Sequence, residues 1–429
     1  MFFLFNFKST VLLWFLVLAS CGNPTRKIGT IPENMVSAKA KDSILKPVTA
    51  ANRTALYLPL LKDKDIGMVA NQTSVIFKNS EYEIQGADPE IKKEINYTHS
   101  VDSLLSLGIR IKKVFAPEHG FRGKADAGEK IKDGTDIKTG LPIISLYGKN
   151  RKPTQDQLTN LDVVLFDIQD VGVRFYTYIA TLQLVMEACA EKRIPIIVLD
   201  RPNPNAHYVD GPTMETEHTG FLGMTEIPLV YGMTIGEYAQ MINEEGWLKN
   251  SYKADLTIIP LKNWTYSTEY SLPIRPSPNL PNDIAINLYP SLGLFEGTTI
   301  NAGRGTEFQF QRYGASFLDS TAYTFSYVPK PNFGSKHPKE EDKTCYGQNL
   351  SEIPKMNTVS LEWIIDAYQN CTDKTRFFNT KGFTKHAGTE KLQKQIEAGL
   401  SETEIKQTWQ KDLEGFKKVR AKYLRYHNP

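Results

Sequence analysis

The chain has 429 residues, of which 41% are hydrophobic and 23% are charged, and its formal net charge is +3. This length suits two globular domains better than one. The small net charge, without a basic run interleaved with aromatic residues, excludes nucleic acid as an expected partner.

The N-terminus has the pattern of a secretory signal. Lys8 precedes an apolar run that is short for a membrane span, and the run ends in Leu18-Ala-Ser-Cys21. This ending resembles a bacterial lipobox, which implies cleavage before Cys21 and acylation of its thiol. We therefore interpret residues 1–21 as a signal segment with its lipidated cysteine, and residues 22–54 as a polar tether. The expected location is the periplasmic side of a bacterial membrane, to which the lipid attaches the protein.

Apolar runs further along the chain predict strands that are buried on both faces of a parallel sheet. Each run ends in a polar side chain: Asp65–Ala70 is followed by Asn71, Arg110–Ala116 by Pro117 and Glu118, Val163–Phe166 by Asp167, and Ile194–Leu199 by Asp200. In such sheets, ligands bind beyond the carboxyl ends of the strands. We therefore expect these polar side chains to converge on one edge of the sheet and to form a site.

More polar residues lie in the loops that follow these strands. They are His119 and Arg122 in the first loop, Gln169, Asp170 and Arg174 in the second, and Arg201 and Asn203 in the third. Glu118 and His119 are adjacent, so an extended loop points them in different directions, and His119 is equally well interpreted as an orienting partner. Asp210 lies in a turn and is a further candidate for the cleft.

The pattern changes near Phe221, where we place a domain boundary. Residues 55–220 then contain the sheet and the catalytic site, and residues 221–429 form a second domain that closes the cleft. Thr234–Glu237 and Ser401–Glu404 fit helix-capping boxes. The segment Arg275–Pro281, which contains Asn279, is irregular and its prolines fix the backbone. The loops around Glu296 and Arg304 resemble loops that close over a ligand.

Neither a metal nor a cofactor is expected. Cys189, Cys345 and Cys371 have no short spacing, so they suggest neither a zinc site nor a disulfide framework. Gly303-Arg-Gly305 is rich in glycine, but no phosphate-binding or dinucleotide-binding motif follows a predicted strand. Arg304 is better suited to a substrate carboxylate.

Several motifs resemble those of the NamZ-like exo-β-N-acetylmuramidases, a family long catalogued only as a domain of unknown function. The motifs lie in the family's order between about Leu56 and the C-terminus: Ala116-Pro-Glu-His-Gly-Phe-Arg-Gly123, Phe166-Asp-Ile-Gln-Asp-Val-Gly-Val-Arg-Phe-Tyr-Thr-Tyr178, Leu199-Asp-Arg-Pro-Asn-Pro204, Gly232-Met-Thr-Ile-Gly-Glu237, Pro276-Ser-Pro-Asn-Leu-Pro281 and Gly303-Arg-Gly-Thr306. The chain departs from the family at Asp210, where a glutamate is frequent, and after Gly305.

The resemblance implies an α/β fold, with a Rossmann-like N-terminal domain around a mostly parallel sheet and a smaller C-terminal α/β domain. It places the site in the cleft where the two domains meet. It also implies removal of β-1,4-linked N-acetylmuramic acid from the non-reducing end of peptidoglycan fragments, in cell-wall turnover or recycling.

Glycoside hydrolysis needs an acid for the leaving oxygen and commonly a second carboxylate. We assign Glu118 as the acid and Asp167 or Asp170 as the second carboxylate, with Glu187 as the runner-up. The substrate's own acetamido group could instead be the nucleophile. Arg174, Arg201 or Arg304 could bind the lactyl carboxylate. The other expected substrate-binding residues are Asn71, His119, Arg122, Gln169, Tyr176, Tyr178, Asp200, Asn203, Asp210, Asn279 and Glu296.

Two alternatives stay open. The first is a metal-dependent hydrolase, because Glu118, His119, Asp167 and Asp200 are ligand types at one sheet edge. The second is a non-catalytic surface lipoprotein that binds muropeptides in the same cleft.

Overall fold

The structure is a computed structural model that describes residues 46–78, 96–123 and 133–426. The predicted signal segment with Cys21, and most of the predicted tether, lie outside the described residues. The described residues belong to one compact unit that spans Leu45–Pro429. None of the helices in the described ranges is both long and apolar enough to cross a membrane.

Groups of strands are separated by single α-helices through the first half of the chain. The strands are β1 (Asp65–Ala70), β2 (Val75–Phe77), β3 (Tyr97–His99), β4 (Arg110–Ala116), β5 (Gly134–Thr135), β6 (Pro142–Ser145), β7 (Val163–Asp167), β8 (Ile196–Leu199), β9 (Asp210–Thr213), β10 (Pro228–Val230), β11 (Leu256–Ile259), β12 (Arg312–Ala315), β13 (Phe325–Tyr327) and β14 (Cys345–Asn349). The α-helices are α1 (Thr54–Leu61), α2 (Ser100–Ser106), α3 (Tyr178–Lys192), α4 (Ile235–Glu244), α5 (Asp283–Leu292), α6 (Glu362–Gln369), α7 (Thr380–Ala387), α8 (Lys391–Glu397) and α9 (Glu402–Arg420).

A seven-stranded sheet forms the centre of the fold, in the order β11-β8-β7-β1-β4-β6-β5. Neighbouring strands run parallel, except for the short β5, which pairs antiparallel with β6. This arrangement confirms the predicted α/β class and the mostly parallel sheet.

The interior strand β7 shows why the apolar runs form such a sheet. Val164 and Phe166 belong to one hydrophobic core, and Val163 and Leu165 belong to a second core. Because successive side chains of a strand point to opposite faces, a continuous apolar run is buried on both faces.

The sheet takes its edge strand β11 from beyond residue 220, where the sequence predicts the domain boundary. The strand Leu256–Ile259 continues the parallel pairing next to β8. The part of the chain that builds the sheet therefore extends further than the predicted 55–220. The division of the chain into two domains stays a prediction.

The second half of the chain adds a smaller sheet and helices. Strands β12, β14 and β13 form a three-stranded antiparallel sheet. Both predicted capping boxes are confirmed, at Thr234 before α4 and at Ser401 before α9. Helix α9 buries one apolar stripe, which includes Ile405, Trp409 and Leu413.

Candidate active site

The predicted convergence of the strand ends on one edge of the sheet is confirmed. Strands β8, β7, β1 and β4 are consecutive parallel neighbours, so Asp200, Asp167, Asn71 and Glu118 follow one another along one edge of the sheet. Their exposure differs, because Glu118 is half-buried whereas the other three have 0% of their surface exposed. Since a substrate must reach a catalytic group, this difference singles out Glu118.

A sharp turn after β4 places Glu118. The amide of Gly120 donates to the carbonyl of Pro117 at 3.0 Å, and the φ angles of His119 and Gly120 are 70° and 77°. A positive φ is uncommon for histidine, and such strained positions concentrate at functional sites. The turn leaves Glu118 accessible, whereas the side chain of His119 is buried.

Hydroxyl groups from two other segments hold the Glu118 carboxylate. The Oγ1 of Thr177 donates to Oε2 of Glu118 at 2.8 Å. The hydroxyl of Tyr147 lies within hydrogen-bonding reach of the same carboxylate, and burial together with the negative charge of Glu118 raises the pKa of Tyr147. The hydroxyl of Tyr178 donates to the backbone carbonyl of Glu118 at 3.4 Å. These contacts fix the position of the carboxylate.

Asp167, predicted as a second catalytic carboxylate, forms a buried ion pair with Arg201. Its Oδ1 accepts from Nε of Arg201 at 2.7 Å, and its Oδ2 accepts from Oγ of Ser100 at 2.6 Å. Arg201 also donates to the carbonyl of Val75 at 3.1 Å. Asp167 and Arg201 are both buried, because adjacent strands bring them together at the sheet edge. Asp167 is therefore placed as a structural ion-pair partner and not as a second catalytic carboxylate.

Asp200 is also engaged within the protein. Its Oδ1 accepts from the amide of Gly236 at 2.9 Å, near the N-terminus of α4, and its Oδ2 accepts from Oγ1 of Thr234 at 2.7 Å. The hydroxyl of Tyr426, near the C-terminus, donates to the same Oδ2. Asp200 therefore joins the sheet to α4 and to the C-terminal segment, and none of these contacts leaves it open to a substrate.

Asp170, the other predicted second carboxylate, is enclosed beneath the site. The amide of Gly172 donates to its Oδ2 at 2.6 Å, and the hydroxyl of Tyr231 donates to the same oxygen. Burial raises the pKa of Asp170 to about 7. Gln169 next to it donates to the carbonyls of Asp170 and Pro202, at 2.7 and 2.6 Å, so both side chains serve the loop itself.

Glu187, the runner-up, lies on the third turn of α3, well away from the strand ends. Its Oε1 accepts from the amide of Lys249 at 3.1 Å, and its Oε2 lies 3.6 Å from Nζ of Lys152. At about 1.5 Å per residue, its position on the helix is roughly 13 Å from Tyr178. The structure does not bring Glu187 to the site.

Arg174 is fully buried and donates only to backbone carbonyls. Nη1 donates to Pro212 at 2.6 Å and to Ile227 at 2.9 Å, and Nη2 donates to His386 at 3.0 Å and to Ala387 at 2.7 Å. Burial lowers the pKa of Arg174 to about 9. The guanidinium therefore connects α7 to the segment between β9 and β10, and it does not point to a lactyl carboxylate.

Tyr176, Tyr178 and Tyr289 form an aromatic surface next to Glu118, which we call the tyrosine floor. The ring centroid of Tyr176 lies 4.7 Å from that of Tyr178 and 6.0 Å from that of Tyr289. The hydroxyls of Tyr176 and Tyr178 donate to the carbonyl of Pro276, at 2.7 and 3.2 Å. The predicted proline-rich motif thus supports the floor through its backbone.

A group of charged residues adjoins the floor at Tyr289, which lies close enough to experience the charges of both Glu118 and Glu296. Nε of Arg304 donates to Oε1 of Glu296 at 3.1 Å. Burial acts to raise the pKa of Glu296, but the charges of Arg304 and Lys339 outweigh it and hold that pKa below its usual value. Glu296 and Arg304 are both partly exposed. This part of the site can therefore bind a charged group.

His386 on α7 lies beside this pair. Its Nδ1 is 2.9 Å from the carbonyl of Gly382, so Nδ1 carries the proton and Nε2 is an acceptor. Burial lowers the pKa of His386, which favours the neutral ring. Its ring centroid lies 5.4 Å from Phe175, which in turn contacts Tyr289 at 5.1 Å.

The remaining predicted residues are engaged elsewhere. Arg122 donates to Asp136 at 2.7 Å and to Asp102 at 3.1 Å. Asp210 accepts from Oγ1 of Thr358 at 2.6 Å and from the amide of Val359 at 2.8 Å. These contacts give both side chains structural partners in their own surroundings.

The asparagines among the predicted residues also order loops. Oδ1 of Asn71 accepts from the amide of Thr73 at 2.9 Å, and Asn71 lies beside the Tyr178 hydroxyl. Asn203 donates to the carbonyl of Met233 at 2.7 Å. Asn279 donates to the carbonyl of Gly334 at 2.7 Å.

The structure adds site residues that the sequence did not single out. Thr177 lies between two predicted tyrosines, and Tyr147 lies two residues after the apolar strand β6, so the sequence carries a local signal near both residues. Tyr289 and His386 lie within helices of the second half of the chain, where the sequence carries no local signal of a site.

The geometry does not favour a metal site at the strand ends. Within the described ranges, the group of possible metal ligands whose atoms lie together is Glu215, Glu217 and His218. This group lies outside the strand-end loops, and it includes neither Glu118 nor His119.

Comparison with known proteins identifies the family. A protein-family model described as exo-β-N-acetylmuramidase NamZ, N-terminal, matches residues 66–284. The family model for the C-terminal part of NamZ matches residues 287–426. A Bacillus subtilis (strain 168) protein named peptidoglycan β-N-acetylmuramidase NamZ is 36% identical over 423 residues, which cover 93% of this chain and 96% of that protein.

Solved structures agree with this assignment. A crystal structure of a DUF1343 family protein from Bacteroides fragilis NCTC 9343 is 41% identical, has a TM-score of 0.78, and is matched over 90% of this chain and 100% of that chain. A second DUF1343 protein from the same organism is 25% identical, with a TM-score of 0.70 over 89% of this chain and 100% of that one. The chain described here therefore belongs to the NamZ family of exo-β-N-acetylmuramidases.

Proposed function

We propose that this chain is a glycoside hydrolase that releases β-1,4-linked N-acetylmuramic acid from the non-reducing end of peptidoglycan fragments. The name of the Bacillus subtilis relative and the family descriptions support this activity. The structural observation that carries the proposal is Glu118, an accessible carboxylate at the carboxyl edge of the sheet. It lies beside an aromatic floor, and Thr177 holds it in place.

Glu118 acts as the general acid in this proposal. Its carboxyl group donates a proton to the glycosidic oxygen as the bond to the anomeric carbon breaks. Thr177 and Tyr147 orient the carboxyl group, and the tyrosine floor keeps water away from one side of the reacting sugar. This assignment retains the role that the sequence predicts for Glu118.

The second catalytic group is then most simply the acetamido oxygen of the substrate. Asp167, Asp170 and Glu187 are all enclosed and engaged within the protein. In hexosaminidases of this type, the acetamido oxygen attacks the anomeric carbon and water later opens the ring. A muramyl thiazoline, which mimics that cyclised intermediate, should then inhibit competitively. Lack of inhibition would favour attack by a carboxylate or by water.

Arg304 is the residue that we assign to the lactyl carboxylate. Its Nε is used by Glu296, whereas its terminal nitrogens have no hydrogen bond to any described residue. Arg304 and Lys339 are two cations beside the single anion Glu296. This excess of positive charge attracts a negatively charged substituent of the substrate. This charge pattern would distinguish N-acetylmuramic acid from N-acetylglucosamine, which lacks the lactyl group.

We also propose that Cys21 is acylated and attaches the mature protein to the periplasmic side of a membrane. The lipobox-like Leu18-Ala-Ser-Cys21 supports this location. Cys21→Ser should move the protein from the membrane fraction to the soluble fraction. Unchanged fractionation would contradict the proposed anchor.

The activity can be tested with the chain from residue 22 onward, which contains every described residue. It should release N-acetylmuramic acid from the muramyl-glucosamine disaccharide and leave the corresponding glucosamine disaccharide intact. Chelators should not change the rate. Arg304→Ala should raise KM for the muramyl substrate by about tenfold or more.

Other outcomes would overturn the proposal. Saturable binding without turnover would indicate a muropeptide-binding lipoprotein. Loss of activity with a chelator, restored by a divalent cation, would indicate a metal-dependent hydrolase.

A further inference from the structure

Side chains outside the predicted site form a row that leads from Glu118 towards the surface. Tyr147 reaches the Glu118 carboxylate through its hydroxyl. The ring of Phe221 lies 6.4 Å from the ring of Tyr147, and Cζ of Arg151 lies 4.2 Å above the centre of the Phe221 ring. We call Tyr147, Phe221 and Arg151 the outer row.

The outer row is built into the fold through Phe221. Gly220 and Gly223 exchange backbone hydrogen bonds of 2.9 Å in both directions, so Phe221 and Leu222 form the tip of a tight turn. A side chain at Gly223 would come within 3.0 Å of Cδ of Arg174, which shows that the turn is packed against that buried arginine. The turn therefore presents Phe221 from an anchored position, although the ring itself is only partly buried.

Arg151 carries a positive charge that no described residue neutralises with an ion pair. The next residue, Lys152, pairs with Glu187 and Glu191, at 3.6 and 2.8 Å. Arg151 instead lies over the Phe221 ring and is exposed. A guanidinium stacked in this way keeps the N–H groups at its edge available for a carboxylate.

The chemistry of the acid indicates what the outer row contacts. A general acid protonates the oxygen of the leaving group, so the leaving sugar must lie directly beside Glu118. Tyr176 and Tyr178 of the tyrosine floor are buried, and its partly open Tyr289 adjoins the charged group of Glu296 and Arg304. Tyr147, which reaches Glu118, and Phe221 are also partly open and do not belong to that charged group. Aromatic faces offer a sugar a broad apolar surface beside polar groups.

We propose that the outer row is the subsite for the leaving part of the substrate. The N-acetylglucosamine residue next to the cleaved bond packs on Tyr147 and Phe221, and Arg151 pairs with a carboxylate further along the leaving chain. That carboxylate belongs either to the lactyl group of the following muramic acid or to its stem peptide. This inference rests on the proposed hydrolase function and extends it to the recognition of substrate length.

The first test compares substrates that differ in their leaving group. Phe221→Ala should lower kcat/KM for the muramyl-glucosamine disaccharide about three- to tenfold more than for methyl β-N-acetylmuramide, chiefly through KM. Methyl β-N-acetylmuramide is the reference because its leaving group is too small to reach the outer row. Tyr252→Ala is the matched control, since this exposed aromatic residue precedes β11, at the opposite end of the sheet.

The second test concerns charge. Arg151→Gln should raise KM about two- to fivefold for a trisaccharide that ends in a second muramic acid, relative to the disaccharide. Substrates with a free lactyl group and with a stem peptide distinguish the two sources of the carboxylate. Arg376→Gln is the matched control, because Arg376 is also exposed and lies 5.1 Å above a phenylalanine ring.

Two results would overturn the inference. Equal losses on the disaccharide and the methyl glycoside would mean that Phe221 supports the fold or the catalytic centre. No loss on either substrate would mean that the outer row is ordinary surface. If the wild-type protein cleaves none of these substrates, the proposed function itself fails.

Discussion

The hydrogen bond from Thr177 to Glu118 joins the turn after β4 to the residue before α3. It is 2.8 Å long and fixes one carboxylate oxygen, Oε2. A general acid must be held at the glycosidic oxygen, and a small displacement of such a group is costly in rate. Thr177 is therefore a positioning residue in this account.

Removing that hydrogen bond gives the first prediction. Thr177→Val keeps the shape of the side chain and should lower kcat by roughly tenfold or more, with little change in KM. The change should be measured in steady state on the disaccharide, with the exposed Thr159→Val as a control. A change in KM alone would contradict the positioning role.

The ion pair between Asp167 and Arg201 gives a second prediction. Asp167→Asn leaves the buried guanidinium without its counter-ion, so the free energy of unfolding should fall by roughly 3 kcal/mol. Urea unfolding measures this loss, and the activity of the folded fraction should remain. A stable but inactive variant would instead restore Asp167 to a catalytic role.

The accessible position of Glu118 at the sheet edge was predictable from sequence, whereas the enclosed positions of the other carboxylates were not. Glu118 ends an apolar strand and begins a glycine-containing turn, and both signals are local. The partners that enclose Asp167 and Asp200 are Ser100 and Tyr426, which are distant in sequence. The sequence pattern predicts where a strand ends. The hydrogen-bond partners of a side chain at that end depend on which distant segments of the chain fold against the strand.

At the scale of elements, Arg174 connects α7 to the core. Its four hydrogen bonds end on carbonyls of the β9–β10 region and of the last turn of α7. Helix α7 also carries His386, whose ring lies next to the floor. Arg174 thus acts on the site through the position of a helix.

Arg174→Met tests this connection. The variant removes four hydrogen bonds to backbone carbonyls, of which the Ile227 carbonyl keeps the Met214 amide as a donor at 3.1 Å. It should therefore unfold at a lower temperature, and its free energy of unfolding should be lower by roughly 2–4 kcal/mol. KM should rise as α7 shifts, and kcat should change less. A variant with normal stability but no affinity for muramyl substrates would support the direct carboxylate contact predicted from sequence.

Local sequence signals are enough to place the strands that end at the site and two of the helix starts. Apolar runs predict the strands β1 and β4, and pairs of residues three positions apart predict both capping boxes. Tyr289 and His386 could not be found in this way, because they lie on α5 and α7 and reach the site only after these helices pack. The apolar run Leu256–Ile259 is typical of a strand, but the membership of β11 in the central sheet depends on a pairing with β8 that has no local signal.

At the scale of the whole molecule, buried carboxylates make stability depend on pH. Burial raises the pKa of Asp170 and of Glu237 to about 7, above the value of about 4 in an unfolded chain. Between these values the folded chain binds more protons than the unfolded chain. The stabilising contribution of both groups is therefore complete below about pH 4 and is lost as pH rises to about 7.

Asp170→Asn isolates one of these groups. The wild-type free energy of unfolding should fall, relative to the variant, by roughly 1–3 kcal/mol between pH 4 and pH 7. Urea titrations at several pH values measure this difference in the free energy of unfolding. Because both proteins have the same surface carboxylates, the opposite contribution of those groups cancels in the difference. Parallel curves for the two proteins would show that folding does not raise the pKa of Asp170.

The central claim is that Glu118 protonates the leaving oxygen. The most direct test compares Glu118→Gln with wild type on aryl β-N-acetylmuramides whose phenols differ in acidity, because acidic phenols leave without help. The variant should lose roughly 10²- to 10⁴-fold in kcat/KM with the least acidic phenol and far less with the most acidic one. An equal loss across the series, or no loss, would contradict the account and assign the acid role to another group.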